Sequence, residues 1–289
     1  MRGLNWKIGD VEIFQIVELG NVGRNIQSML TDATPLNLKK TPGLYPQFID
    51  NEGNLFANVQ SFLIKTANAN ILIDTCNGNE KFRESIPEWG NLKTDYLDRI
   101  KEIGINETDI DLVICTHLHF DHVGWNTKLV DNIWKPTFIN ADYLFVKDEY
   151  DYWKSKPDNE IDDDFAAFDD SITPVVNAGL AKFVDKNQII DHNITLTSTP
   201  GHTPGHVSIL IKSQGESVLL SGDLFYHPCQ ITNPNWIGSS DSDPQRAIIS
   251  RLRILKEITN TDTFLLGSHF SNPVSGKVKT RNKIYFFEI

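Results

Sequence analysis

The chain has 289 residues, 40% hydrophobic and 10% aromatic, which is ample material for a large buried core. Its 38 Asp and Glu outweigh 27 Lys and Arg to give a formal charge of -11, so a polyanion would meet net repulsion, and composition argues against a nucleic-acid partner. No apolar run approaches the roughly 18 residues of a membrane-spanning helix, and Cys76, Cys115 and Cys229 are scattered without CxxC pairing, which argues against a disulfide framework or a thiolate zinc site and suits a soluble protein of the reducing cytoplasm.

From Val11 the sequence alternates apolar and polar residues and reads as a first strand; the start lacks the basic segment and apolar core of a secretory signal. Residues 21–58 carry Gly, Pro and Asn throughout without a clear period and read as a long surface excursion able to border a binding site. Short β-like runs follow at 59–65, 71–74 and 112–116, with a helix over 95–103 that places Tyr96, Leu97, Ile100 and Ile103 on one face. The aromatics of 138–153 are candidates to line an acyl or aryl pocket. Residues 155–170 hold Asp158, Glu160, Asp162, Asp163, Asp164, Asp169 and Asp170, for which a solvated acidic surface is the favoured reading and a lid the alternative. Further strand runs occupy 194–198, 207–211, 218–221 and 264–267, and a helix over 245–258 aligns Ala247, Ile248, Leu252, Leu255 and Ile258. Strands and helices alternate in two α/β halves, about 1–190 and 191–289, of one domain spanning 1–289.

The densest chemical signal is CTHLHFDHVGW, 115–125, which leaves an apolar strand run and packs His117, His119, Asp121 and His122 into six positions. Two residues apart in an extended segment, His117 and His119 can turn their imidazoles to one side and approach one cation. If the chain then turns into a helix, Asp121 and His122 diverge from the first pair and can reach a second cation nearby. Downstream, GHTPGH offers His202 directly after the Pro200–Gly201 bend, with His206 the lesser candidate because it opens the next apolar run and suits a buried strand position. VLLSGDLF and FLLGSH place Asp223 and His269 just beyond buried strands.

In these motifs, in order and in context, the chain resembles the metallo-β-lactamase superfamily. The resemblance implies an α+β fold, a four-layer αββα sandwich, with one metal held by His117, His119 and His202, a second by Asp121, His122 and His269, and Asp223 bridging them. The segment ILIDTCNG is similar to the family's strand and loop bearing a carboxylate that orients a ligand histidine, which points to Asp74. The donor set of imidazole and carboxylate without thiolate predicts two divalent cations, zinc by ligand type, with manganese, iron and cobalt as alternatives.

The local wording HLHFDH and GHTPGH is closest to the N-acyl homoserine lactonase and methyl-parathion-hydrolase-like branch. The implied activity is opening of a lactone or cleavage of an ester in a small-molecule substrate, quorum quenching included. Phosphotriester or aryl-ester hydrolysis, thioester hydrolysis of the glyoxalase-II kind and a non-catalytic metal-binding scaffold are the alternatives. Coordinated water, its pKa lowered from about 15.7 towards about 7, would be the nucleophile, oriented by Asp121. Tyr226, three residues after Asp223, would polarise the carbonyl, with His227 beside it and Trp125, Phe48 and Phe56 as pocket candidates. Relatives in this branch are often dimers, so a homodimer is a possible partner state.

Overall fold

The structure, a computed structural model, describes residues 3–156 and 163–289, so Asp158, Glu160 and Asp162 of the acidic segment lie outside the described residues. The chain forms two compact units: one unites the N-terminal stretch ending at Glu18 with Val59–Asp185, and the other unites Leu19–Asn58 with Lys186–Ile289. Residues 19–58 thus belong with the unit that resumes at Lys186. They are not the surface excursion that their composition suggests. Helices Gly23–Met29 and Pro35–Lys40 fold there, and Ile26, Leu30, Leu38, Leu44, Phe48 and Leu55 are buried. Apolar residues spaced without a period can still anchor a segment when each drops into its own site on the unit beneath.

In the first unit a seven-stranded sheet has the order β1 (Asn5–Ile8), β2 (Val11–Gly20), β3 (Asn58–Lys65), β4 (Asn70–Ile73), β5 (Leu112–Ile114), β8 (Asp142–Val146) and β9 (Ala181–Val184). The alternating strand at Val11 is therefore the second, preceded by a hairpin partner. A separate hairpin pairs β6 (Thr127–Val130) with β7 (Ile133–Pro136) across the left-handed residues Asp131 and Asn132. Strands β4, β5, β8 and β9 run parallel, with Ile73 beside Ile114 and Ile114 beside Leu144. The Ile, Leu and Val runs of β4 and β5 suit strands covered on both faces, and the carboxyl ends of the parallel strands lie at one edge. The helix Tyr96–Glu102 buries Tyr96 and Ile100, the inner part of the predicted face.

The aromatic stretch 138–153 supplies core, with Phe138, Tyr143, Phe145 and Trp153 all buried. The acidic segment differs from a solvated surface. Asp163 is buried and accepts from Glu84 N and Ser85 N at 2.6 and 3.0 Å. Asp170 pairs with Arg83 at 2.8 Å and Lys81 at 3.2 Å. Burial pushes Lys81 down to about 8 against the pull of Asp170, and its ammonium lies 3.7 Å from the centre of the Trp134 ring. Buried cations need carboxylate partners, and this run provides one.

In the second unit a six-stranded sheet runs in sequence order: β10 (Ile194–Ser198), β11 (Val207–Ser213), β12 (Glu216–Leu220), β13 (Phe264–Leu266), β14 (Ser275–Arg281) and β15 (Ile284–Glu288). Only β12 and β13 pair in parallel, ending together at Leu220 and Leu266. The helix Pro244–Ile258 lies in the connection between them, capped by Asp243, which accepts from Arg246 N. Its inner face is Ala247, Arg251, Ile254, Leu255 and Ile258, whereas Leu252 is 38% exposed. Apolar periodicity selects Leu252 because it has no way to register a buried guanidinium. Arg251 turns inward to donate to the carbonyls of Leu224, Pro234 and Trp236 at 2.7–2.9 Å, satisfying turn acceptors that a leucine would leave bare.

Candidate metal centre

At the carboxyl edge of β4 and β5 the first unit assembles four donors. Asp74, next after β4, sits in the left-handed region with φ 55°, and its amide donates to Ile114 O. This turn aims its carboxylate back across the strand ends. Oδ1 accepts from Thr116 N at 2.7 Å, and Oδ2 accepts from Thr116 Oγ1 at 2.9 Å and lies 2.9 Å from His122 Nδ1. Thr116 Oγ1 is 3.1 Å from His117 Nδ1. Asp74 thus holds His122 directly and His117 through the threonine hydroxyl, fixing tautomers that leave Nε2 of both rings as lone-pair donors.

Nε2 of His117 lies 3.0 Å from Nδ1 of His119, and the His117 and His122 ring centres are 4.0 Å apart. Asp121 and His122 open the short helix Phe120–Val123, where the Asp121 carboxylate is 3.7 Å from His122 Nε2. Three imidazoles and a carboxylate thus converge within a few ångströms of one another. Two nitrogens at about 2.0–2.1 Å from one tetrahedral ion are about 3.3 Å apart, so the donor set fits a divalent cation.

The second unit adds three donors from three loops. His202 lies in the turn between β10 and β11, drawn onto the helix Pro244–Ile258 by Ser242 N to His202 O and Asp243 N to Gly201 O at 2.9 and 2.8 Å. Gly201 permits this approach: at φ 137° any Cβ would lie 2.0 Å from Ala247 N. Asp223 and His269 each follow a strand end by three residues, one after β12 and the other after β13. Asp223 Oδ2 is 3.7 Å from His202 Nε2 and 3.3 Å from His269 Nε2. The outer nitrogens face oxygens, His269 Nδ1 at 2.9 Å from Asn58 O and His202 Nδ1 at 3.2 Å from Asp241 Oδ1. Again Nε2 is the donor left for a cation.

Three further residues support these donors, and two of them, Asp241 and Glu149, carry no sequence signal of their own. Asp241 stands in a run of serines and aspartates where nothing distinguishes it, yet it takes the outer nitrogen of His202. His206, the lesser ligand candidate, is buried and accepts from Asp223 N at 3.0 Å while its other nitrogen meets Thr199 Oγ1 at 2.9 Å, so it fixes the Asp223 backbone. Glu149 accepts from Leu118 N and Trp153 Nε1 at 3.2 and 2.8 Å, holding the backbone between His117 and His119.

The five remaining residues named from the sequence are placed as follows. Tyr226 is buried, its hydroxyl 2.9 Å from His202 Nδ1 and 3.4 Å from Asp241 Oδ1, so it addresses the back of the imidazole. His227 has one nitrogen against Phe48 O and the other accepting from Cys229 N, both at 3.1 Å; burial pushes it down to about 3, and the neutral ring ties two backbone segments together. Trp125 is core, stacked on Tyr96 at 5.4 Å with its Nε1 donating to Glu18, and Phe48 is buried against Phe287 and His227. Phe56 is at the surface, 36% exposed. Cys115 is buried and burial pushes its thiol up, which leaves no thiolate nucleophile beside the donors.

Residues 55–269 match the family described as the metallo-beta-lactamase superfamily. An N-acyl homoserine lactonase of a Bacillus species is 28% identical over 243 residues, covering 79% of this chain and 85% of the relative. Among solved structures, the hydrolase AbOPH superposes with a TM-score of 0.80 at 22% identity, covering 100% of this chain and 97% of that one. AidC, a dizinc quorum-quenching lactonase bound to a hexanoyl homoserine product, gives 0.77 at 24% identity over 99% and 96%. The α+β fold of this chain, two mixed sheets with helices in each unit, is that fold. Among the described residues no helix is long and apolar enough to cross a membrane.

Proposed function

From the membership of this chain in the metallo-β-lactamase superfamily, and hence its nature as a metal-dependent hydrolase, we propose that it opens lactone rings of the N-acyl homoserine kind at a dinuclear zinc centre. His117, His119 and His202 would hold one ion, Asp121, His122 and His269 the other, with Asp223 shared. When bound, the cation pair supplies a Lewis acid and a hydroxide nucleophile at neutral pH.

The observation that carries this reading is the tautomer set. His117, His122, His202 and His269 each have Nδ1 against an oxygen, and Nε2 of each sits by another donor of its own unit. The relatives named as N-acyl homoserine lactonases support the lactone as substrate. Asp121 would orient the attacking water through its carboxylate. Tyr226 and Asp241 would hold His202, which gives the tyrosine a positioning role in place of carbonyl polarisation. No serine or cysteine nucleophile is required.

The reading is tested by one panel on the zinc-loaded protein: an acyl homoserine lactone, a simple aryl ester, a phosphotriester and a glutathione thioester. Highest kcat/KM for the lactone is the expected result. Preference for the thioester or phosphotriester would replace the lactonase assignment while leaving the hydrolase in place.

A further inference from the structure

We propose that Asp164, from the acidic segment, is a positioning residue for the metal ligand His119, an inference that rests on the ligand assignment above. His119 presents Nδ1 to Nε2 of His117 at 3.0 Å, and its opposite nitrogen, Nε2, lies 3.7 Å from Asp164 Oδ2. That separation is within ion-pair reach and within the span of a small side-chain rotation to a hydrogen bond. The carboxylate is already aimed, because Oδ1 accepts from Phe120 N at 2.8 Å. Two anchor points fix the segment that carries it: Asp163 on the 84–85 backbone and Asp170 on Arg83 and Lys81.

The ring itself is held in place. Trp153 meets His119 edge to face at 5.4 Å and 74°, and Trp153 Nε1 donates to the Glu149 carboxylate that also accepts from Leu118 N. His119 is thus held through its neighbour's backbone and against the Trp153 ring, with the Asp164 carboxylate 3.7 Å from its outer nitrogen. A carboxylate at the outer nitrogen of a ligating imidazole sets the tautomer and raises ligand basicity, and its loss costs about 10–100-fold in metal affinity. Asp74 serves His122 in this way and Asp241 serves His202. Asp164 completes the pattern for His119, the one ligand histidine whose donor nitrogen is Nδ1.

The experiment is a zinc titration of the metal-free protein against a chromophoric chelator, with Asp164→Asn, Asp164→Ala and His119→Ala compared with the unsubstituted chain. Asparagine keeps an acceptor for Phe120 N and removes the charge, so it separates the two duties of Asp164, and circular dichroism of each metal-free variant verifies folding. The expected result is unchanged stoichiometry with about tenfold or greater loss of affinity in both Asp164 variants, partial recovery in Asp164→Glu, and loss of one equivalent in His119→Ala. Unchanged affinity in Asp164→Asn, with an equivalent still lost in His119→Ala, overturns the role of Asp164 alone. Full stoichiometry in His119→Ala overturns the ligand assignment and the inference with it.

Discussion

In the first unit, β4 and β5 run parallel and end side by side, and all four donors follow β5 within a single loop and helical turn. In the second, β12 and β13 run parallel and end side by side, but the donors come singly from three loops, at His202, Asp223 and His269. The backbone device is shared, since parallel strand ends present side chains at one sheet edge. What differs is how each set is kept in register. One carboxylate, Asp74, steadies two ligands of the continuous run, whereas the dispersed set depends on separate supports: Asp241 and Tyr226 for His202, His206 for Asp223, and Asn58 O for His269.

The largest break in this comparison comes from removing one donor on each side. His117→Ala and Asp223→Ala should each lower kcat/KM by about 10³-fold or more, because several kcal/mol of charge stabilisation depends on the cation pair; full activity in either would remove that residue from the centre. Next, Arg251→Ala should destabilise the chain by about 3 kcal/mol, since it strips buried carbonyls of Leu224, Pro234 and Trp236 of their donor. Denaturant unfolding measures this, and a change below about 1 kcal/mol would show that the turns hold without it.

A finer contrast sets Thr116→Val against Tyr226→Phe. Each removes a hydroxyl at the outer nitrogen of a ligand imidazole, His117 or His202. Both should weaken zinc by up to about tenfold, read by chelator competition. A fall in kcat for Tyr226→Phe with metal affinity untouched would restore the tyrosine to the substrate carbonyl.

The smallest effects are those of pH on stability, and they run in opposite directions. Burial pushes Glu18 of the first unit up to about 6 from 4.5, so the folded state holds its proton longer and stability falls as pH rises from about 4.5 to about 6. His227 of the second unit is pushed down from 6.5 to about 3, so the unfolded state takes the proton first and stability falls as pH drops below about 6.5. Glu18→Gln should flatten the first slope and His227→Gln the second in denaturation midpoints measured between pH 4 and pH 7.

These contrasts also mark what the sequence discloses. His117 to His122 stand out because four donor types crowd one short run, and His202, Asp223 and His269 because each follows a Gly-bounded strand end. Asp241 and Glu149 escape notice since each acts on a residue far along the chain, and a lone carboxylate has no period. Arg251 and the anchors Asp163 and Asp170 mislead for a single reason: pattern reading sends charge to solvent, and these charges are inside with partners. The β6–β7 hairpin had a readable cue in the Asp131–Asn132 turn between apolar runs. Gly238 had none; it is needed because a Cβ there would lie 2.6 Å from the Tyr226 ring.

The discontinuous second unit bears on how the polypeptide is made. Residues 19–58 leave the ribosome well ahead of the rest of their unit: Phe48 packs on Phe287 at 5.7 Å and Ala57 bridges to Phe270, partners synthesised more than 200 residues later. At about 5–20 residues per second, the nascent chain carries Phe48 without this cover for about 10–50 s. Termination before the β14–β15 hairpin therefore releases a product in which Phe48 stays permanently uncovered and sticky.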